Sequence, residues 1–235
     1  MKNCQCFRPI VNELWQYGER NPDRFPEAEY SGAEAVKAGL GELLGLEVHH
    51  FIMVNLDGFV AMIDALGGVD IVVTRRVYDS NYPTVDGGRT VIDIQPGEHH
   101  MDGELALAYS RSRQRSNDYN RMGRQGCMVR NVVDQTDPIE ALVAFPQLAD
   151  IIVDNVITDI PLNRVPDLIA LLSRVDLDNN ITIAMNPPTY TGPRTPDLYN
   201  TPDLDKIRNA VEVATTLPAA EAKLALGITE LDEAC

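Results

Sequence analysis

Arg111, Arg113, Arg115, Arg121, Arg124 and Arg130 fall in one short stretch that holds no lysine and a single acid, Asp118. A guanidinium is planar, stays charged when partly desolvated and grips phosphate or carboxylate oxygens in pairs, so a cluster of them is chemistry for holding an anion. Arg111, Arg113 and Arg115 alternate with Ser110, Ser112 and Gln114, and in an extended segment all three would point to one side. Arg121, Arg124 and Gln125 stand at i, i+3 and i+4, which puts them on one face near the start of a helix whose dipole adds to their charge. Met128 and Val132 continue that face. The pattern suits a ligand with a phosphorylated head and an apolar tail, while the plainer reading of Met128 and Val132 is core. For the arginines the alternative is a solvated, salt-bridged surface. Arg115 and Arg130 are assigned to that surface, because Arg130 lies half a helical turn from Arg121.

Other side chains offer less. His49-His50 and His99-His100 are adjacent pairs whose rings diverge in regular structure, so they read as ordinary imidazoles rather than metal ligands. Ser110 lacks the glycines of a nucleophile elbow, and no phosphate-binding GxxxxGK[ST] loop occurs. Asp57 and Asp64 flank an apolar helical run; Asp64 could pair with an arginine, but a cap or surface charge is the simpler role. Cys4, Cys6, Cys127 and Cys235 are too few and scattered to read as a disulfide framework.

The elements that must position the arginines can be read from periodicity and turn residues. Helices are expected around Val11 to Tyr17, from Gly32 to Leu44 with Gly45 ending it, and across Phe59 to Leu66 before Gly67-Gly68. Further helices are expected from Asp102 to Tyr109, from Asn120 to Gln135 behind Asp118 as N-cap, and from Val165 to Ser173. Asp137 to Asn155 reads as a helical pair broken near Pro146, and Asp203 to Ala214 as a last helix with Pro202 at its start. Buried strands are expected at His50 to Asn55 and Val69 to Thr74, the latter nearly continuous in apolar residues as in a covered sheet. Arg89 to Ile94 and Asn180 to Met185 are further strands, and Asp79 to Gly88 a surface loop. The sum is α/β, with helices on both faces of a mixed sheet.

The chain has 235 residues and a formal net charge of -15, with 44% hydrophobic and 23% charged residues. That length supports one sizeable domain or two small ones, one being the expectation, and the acidic balance argues against nucleic acid or an anionic membrane surface as a general partner. No stretch approaches the apolar length of a membrane span, and the first residues lack a signal-peptide layout.

Three separated stretches, VNLDGFVAMIDALGGVDIVV (Val54 to Val73), PGEHHMDGELALAYSRSR (Pro96 to Arg113) and NDYNRMGRQ (Asn117 to Gln125), resemble the LytR-CpsA-Psr family in its order. TDIPLNRVPDLIALL resembles the family's closing segment. The resemblance runs from about Pro9 to Thr215 and implies domain boundaries of 9–215, with 1–8 frayed and 216–235 a loosely attached tail. It implies a three-layer α/β/α fold with a mixed central sheet and a tunnel for a polyprenyl chain. The implied activity is phosphotransfer, in which a glycopolymer passes from a polyprenyl pyrophosphate carrier to peptidoglycan. By resemblance Arg111 and Arg113 fall on the family's paired arginines, with a catalytic role, and Arg121 and Gln125 on its arginine and glutamine of the next helix. Arg124 adjoins that set, and all five would bind the pyrophosphate.

The family also implies Mg2+, a membrane anchor and an outer-face, extracytoplasmic location. Its anchor helix and the early strands with the magnesium-holding aspartates have no counterpart read here, so no metal residue is assigned and the first strands of the sheet are expected to be missing. Weak activity is the expectation that follows. The alternative function is a non-catalytic binder of polyprenyl (pyro)phosphate or a similar anionic lipid.

Overall fold

The structure is a computed structural model that describes residues 13–84, 87–113, 118–136, 153–172, 181, 183, 185, 187–194 and 200–228. In chain order the elements are α1 (Leu14–Arg20), α2 (Ser31–Leu44), β1 (Ile52–Val54), α3 (Leu56–Ala65), β2 (Val69–Val73), β3 (Val77–Pro83), β4 (Arg89–Ile94) and β5 (Gly97–Met101). They continue with α4 (Gly103–Arg111), α5 (Asp118–Gln135), β6 (Val156–Thr158), α6 (Val165–Leu172), β7 (Thr191–Arg194), β8 (Asn200–Pro202), α7 (Leu204–Thr216) and α8 (Ala219–Leu226). Two compact units result, one of Met1–Phe51 with Ile181–Gly227, the other of Ile52–Asn180 with Ile228–Cys235.

In the first unit α1 and α7 both pack on α2. Helix α2 ends where Gly45 takes a left-handed backbone (φ 71°), a conformation that a side chain resists, and its amide closes on the Gly41 carbonyl. Trp15 and Tyr30 meet Phe51 edge-on at 6.0 and 5.5 Å between centroids. Arg208 Nη2 donates to Glu42 Oε1 at 2.7 Å. Asp203, not Pro202, caps α7, with Oδ1 accepting from the Lys206 amide; Pro202 ends β8. Within the expected tail, Ala219–Leu226 form α8, whose Ala222 is fully buried.

The second unit holds the larger core and all the expected site residues. Val69, Ile71 and Val73 of β2, Val77 of β3, Met101 of β5 and Tyr109 of α4 lie in one buried cluster. The α/β class holds. Among the described residues the strands pair antiparallel in four twos: β1 with β6, β2 with β5, β3 with β4, and, in the first unit, β7 with β8.

Several local expectations are corrected. Strand β2 alternates buried and exposed, with Val72 turned outward, because among the described residues it pairs with β5 alone and is covered on one face. Strand β1 is exposed along its length, since β6 is its sole partner among the described residues. Much of the expected loop from Asp79 is strand β3, and α5 starts at Asp118 itself, leaving that residue inside the helix. The first helix spans Leu14–Arg20, later than expected. Ile181, Ile183 and Met185 lie outside any strand. The helical pair expected at Asp137 to Asn155 falls mostly outside the described residues.

Candidate anion site at the junction of α4 and α5

Helix α4 delivers Arg111, and its position is fixed from its first residue. Asp102 Oδ1 accepts from the Leu105 amide at 2.8 Å, satisfying one orphan donor of the first turn. Asp64 Oδ1 at the end of α3 accepts from the Gly103 amide at 2.7 Å, which settles its role as an interhelical tie. Gly103 must lack a side chain, since a Cβ there would stand 2.2 Å from the Val60 carbonyl oxygen. Ala106, Leu107, Ala108 and Tyr109 are buried, so α4 is held on most of its surface. Arg111 occupies its last turn, half-buried. The expected extended row of Arg111, Arg113 and Arg115 is therefore corrected: Arg111 is helical, because burial of Ala106 to Ser110 carries the helix through it. Arg113 follows in exposed irregular backbone, and Arg115 lies outside the described residues.

Strand β3 brings two side chains that the sequence reading passed over. Its pairing with β4 slips between Asp79, opposite Ile92, and Tyr82, opposite Thr90. One extra residue on β3 makes a bulge, and the bulge changes side-chain parity. Asp79 and Tyr82 would face opposite ways on a regular strand; here both are buried. Asp79 Oδ1 accepts from the Asn81 amide at 3.0 Å, and its Oδ2 from Ser112 Oγ at 3.3 Å. The Arg111 guanidinium stands 5.9 Å from the Tyr82 ring centroid. Burial pushes the Tyr82 phenol above its ordinary value, against the opposing pull of Arg111. Among the described residues its hydroxyl, like Ser110 Oγ, is buried with no hydrogen-bond partner.

Helix α5 closes the site. Arg124 is buried and turns its donors on the end of α4: Nε donates to the Tyr109 carbonyl at 2.7 Å and Nη2 to the Ser112 carbonyl. Gln125 Nε2 reaches the Ser110 carbonyl at 3.4 Å. The closing carbonyls of a helix have no partner within it, and a cation is favoured beside them. Burial lowers the Arg124 pKa; Tyr109 opposes this, and the nearby charge of Arg121 lowers it further. A guanidinium nonetheless stays protonated. Arg111 has no carboxylate partner among the described residues. Arg130, assigned to the surface, pairs with Asp134 at 3.6 Å.

Beyond these polar groups α5 turns apolar. Met128 is buried in the core, as expected, and with Val129, Val132 and Val133 it faces Phe59, Met62, Ile63 and Leu66 of α3 across a cleft of about 140 Å3 lined entirely by apolar surface. Cys127, one of four cysteines too scattered to read as a disulfide framework, is buried and disulfide-bonded. Among the described residues no group of three or more His, Cys, Asp or Glu could hold a metal ion. His99 Nε2 instead meets the Gln95 carbonyl at 2.7 Å, and His100 lies between Asp70 and the Gly67 carbonyl.

Of the expected set, the structure gathers Arg111, Arg121, Arg124 and Gln125 where α5 meets the end of α4, with Arg113 two residues beyond Arg111. It adds Asp79, Ser110, Ser112 and Tyr82. Only a register slip makes the two β3 residues part of the site, and alternation of apolar residues along β3 gives no sign of it.

The chain resembles several described proteins. It is 26% identical over 142 residues to the polyisoprenyl-teichoic acid–peptidoglycan teichoic acid transferase TagU of Halalkalibacterium halodurans, covering 59% of this chain and 43% of the relative. It is 27% identical over 134 residues to the corresponding TagT of Bacillus subtilis, covering 57% of this chain and 41% of the relative. The match thus spans less than half the length of either relative. The crystal structure of TagV from B. subtilis superposes over 90% of this chain and 76% of its own with a TM-score of 0.59 at 20% identity, a likeness of fold. The sequence profile of the LytR_cpsA_psr family matches residues 11–210, most of the length and every residue of the candidate site. The chain belongs to the LytR_cpsA_psr family.

Proposed function

We propose that this chain is a cell-wall glycopolymer transferase that grips the pyrophosphate of a polyprenyl-linked glycan at the α4–α5 junction. The observation that carries the reading is one helix, α5, with arginines at its start and a wholly apolar cleft along its continuation. Such a surface fits a ligand that is anionic at one end and hydrocarbon at the other. Arg111 lacks a carboxylate partner among the described residues, so its charge is available to an incoming anion. The family's transferases named above support the same reading.

A hydroxyl of peptidoglycan attacks the phosphorus nearer the glycan. The new P–O bond forms as the anhydride P–O bond breaks, polyprenyl phosphate leaves with the electron pair, and the hydroxyl proton passes to solvent. Arg111, Arg113 and Arg121 stabilise charge that grows on the transferring and leaving oxygens, where fixed donors need no reorganisation. Magnesium is implied by the family, but the described residues do not form a cluster fitted to it, and no step is drawn through it. The same observation favours a second reading, a binder that holds the carrier without transfer.

Among the described residues no helix is long and apolar enough to cross a membrane. An extracytoplasmic location is part of the proposal, and the Cys127 disulfide supports it because such bonds persist in oxidising compartments. The test is incubation of the chain and magnesium with a short glycan on polyprenyl pyrophosphate and peptidoglycan fragments, with mass spectrometry of the products. A glycan–phosphodiester–peptidoglycan product, lost in Arg111→Gln, is expected. Saturable binding of the carrier with no such product would establish the second reading instead.

A further inference from the structure

Ser112 separates Arg111 from Arg113 and is almost wholly buried, at 2% exposure. It is held from two directions. Its Oγ donates to Asp79 Oδ2 across from the β3 bulge, and its carbonyl accepts from Arg124 Nη2 on α5. Its amide closes the last turn of α4 on the Ala108 carbonyl at 3.0 Å. Every polar group of the residue between the two arginines therefore has a fixed partner, and the chain leaves α4 in one direction. Arg124 holds it through Nη2 and braces the turn before it through Nε on the Tyr109 carbonyl, so both donors point at backbone carbonyls rather than outward.

We propose that Asp79 and Arg124 are positioning residues that clamp Ser112 and so aim Arg111 and Arg113, and that Arg124 is not itself a phosphate ligand. This rests on the pyrophosphate-binding reading. Lysine at 124 would keep the charge but has no planar fork to span two carbonyls. Asparagine at 79 would keep an acceptor for the Ser112 hydroxyl, and alanine would not.

The test uses the full chain and geranylgeranyl pyrophosphate as probe, with affinity measured over a range of ionic strength. Arg124→Lys is expected to bind about tenfold more weakly with the ionic-strength dependence of the parent, since no phosphate contact is removed. Arg113→Gln, which loses a direct contact, is expected to show a shallower dependence. Asp79→Ala is expected to weaken binding and Asp79→Asn to restore it. A shallower salt dependence in Arg124→Lys, or unchanged binding in both Arg124→Lys and Asp79→Ala, would overturn the proposal.

Two measurements stand apart from variant folding and from the probe. In the parent protein the Arg124 Nε–H resonance should exchange slowly and stay in place as probe is added, while the Arg111 signal moves; a shift at Arg124 contradicts the assignment. If the parent does not bind the probe at all, the functional reading fails. The clamp is then judged on hydrogen exchange at the Ser112 amide, where acceleration in Arg124→Lys supports it and no change refutes it.

Discussion

Arg111 and Arg124 carry the same side chain and use it in opposite ways. Arg111, at the end of α4, lies beside the Tyr82 ring with no carboxylate partner among the described residues, whereas Arg124 is buried and donates to the Tyr109 carbonyl of α4 and the Ser112 carbonyl just past it. Residue type and spacing put both in the proposed anion site, but only the fold separates a fork without a carboxylate partner among the described residues from an internal brace. His100 illustrates a group whose role depends on its protonation. Its Nδ1 lies 2.8 Å from Asp70 Oδ1 and its Nε2 2.9 Å from the Gly67 carbonyl, so the imidazolium can donate to both. The hydrogen bond with Asp70, and then that with Gly67, raise its pKa above the ordinary 6.5, with the Asp70 and Asp102 charges adding to the effect. A pKa raised on folding contributes stability that is complete below the unfolded value and fades as pH climbs through the folded value. His100→Gln should therefore lower Tm on the acid side of the imidazole range and leave it nearly unchanged well above that range. Equal effects at both ends would rule out the linkage. The group is exposed, and the effect is expected to be small.

At the scale of elements, the crossing of α3 and α4 at Gly103 sets where the arginines end up. A Cβ at 103 would press on the Val60 backbone at 2.2 Å, which no rotamer can relieve. Gly103→Ala is expected to destabilise the chain by about 1–3 kcal/mol, the usual range for overpacking a tight contact, read as a lower urea midpoint with unchanged slope. Such a crossing leaves little trace in sequence beyond an unremarkable Asp-Gly. The helices were the legible part. Apolar spacing locates α2, α3, α4, α5, α6 and α7 to within a few residues, whereas the caps Asn55, Asp102 and Asp203, which accept from backbone amides in the first turns of α3, α4 and α7, were not read as such. Strands were less so. Val72 sits in an apolar run yet faces outward, since which face of β2 is covered depends on distant pairing with β5. Asp79 and Tyr82 read as loop residues because Asn, Pro and Gly surround them, and the bulge that buries both depends on pairing with β4. The arginine cluster itself was visible as a local anomaly of charge.

At the scale of the molecule, a chain of net charge -15 concentrates arginines on one helix start and closes the adjoining surface with an apolar cleft. General attraction to polyanions is weak for such a protein, so the proposed grip would have to be geometric rather than a broad field. A paired guanidinium contact is directional and lysine cannot reproduce it. The most direct measurement is a calorimetric titration of geranylgeranyl pyrophosphate into the parent chain, Arg111→Lys and Arg113→Lys. Saturable binding that falls about tenfold or more in each lysine variant is the expected result, in line with the loss of a charge-assisted hydrogen bond. Equal affinity in all three proteins would contradict a built pyrophosphate site and return these arginines to ordinary surface charge.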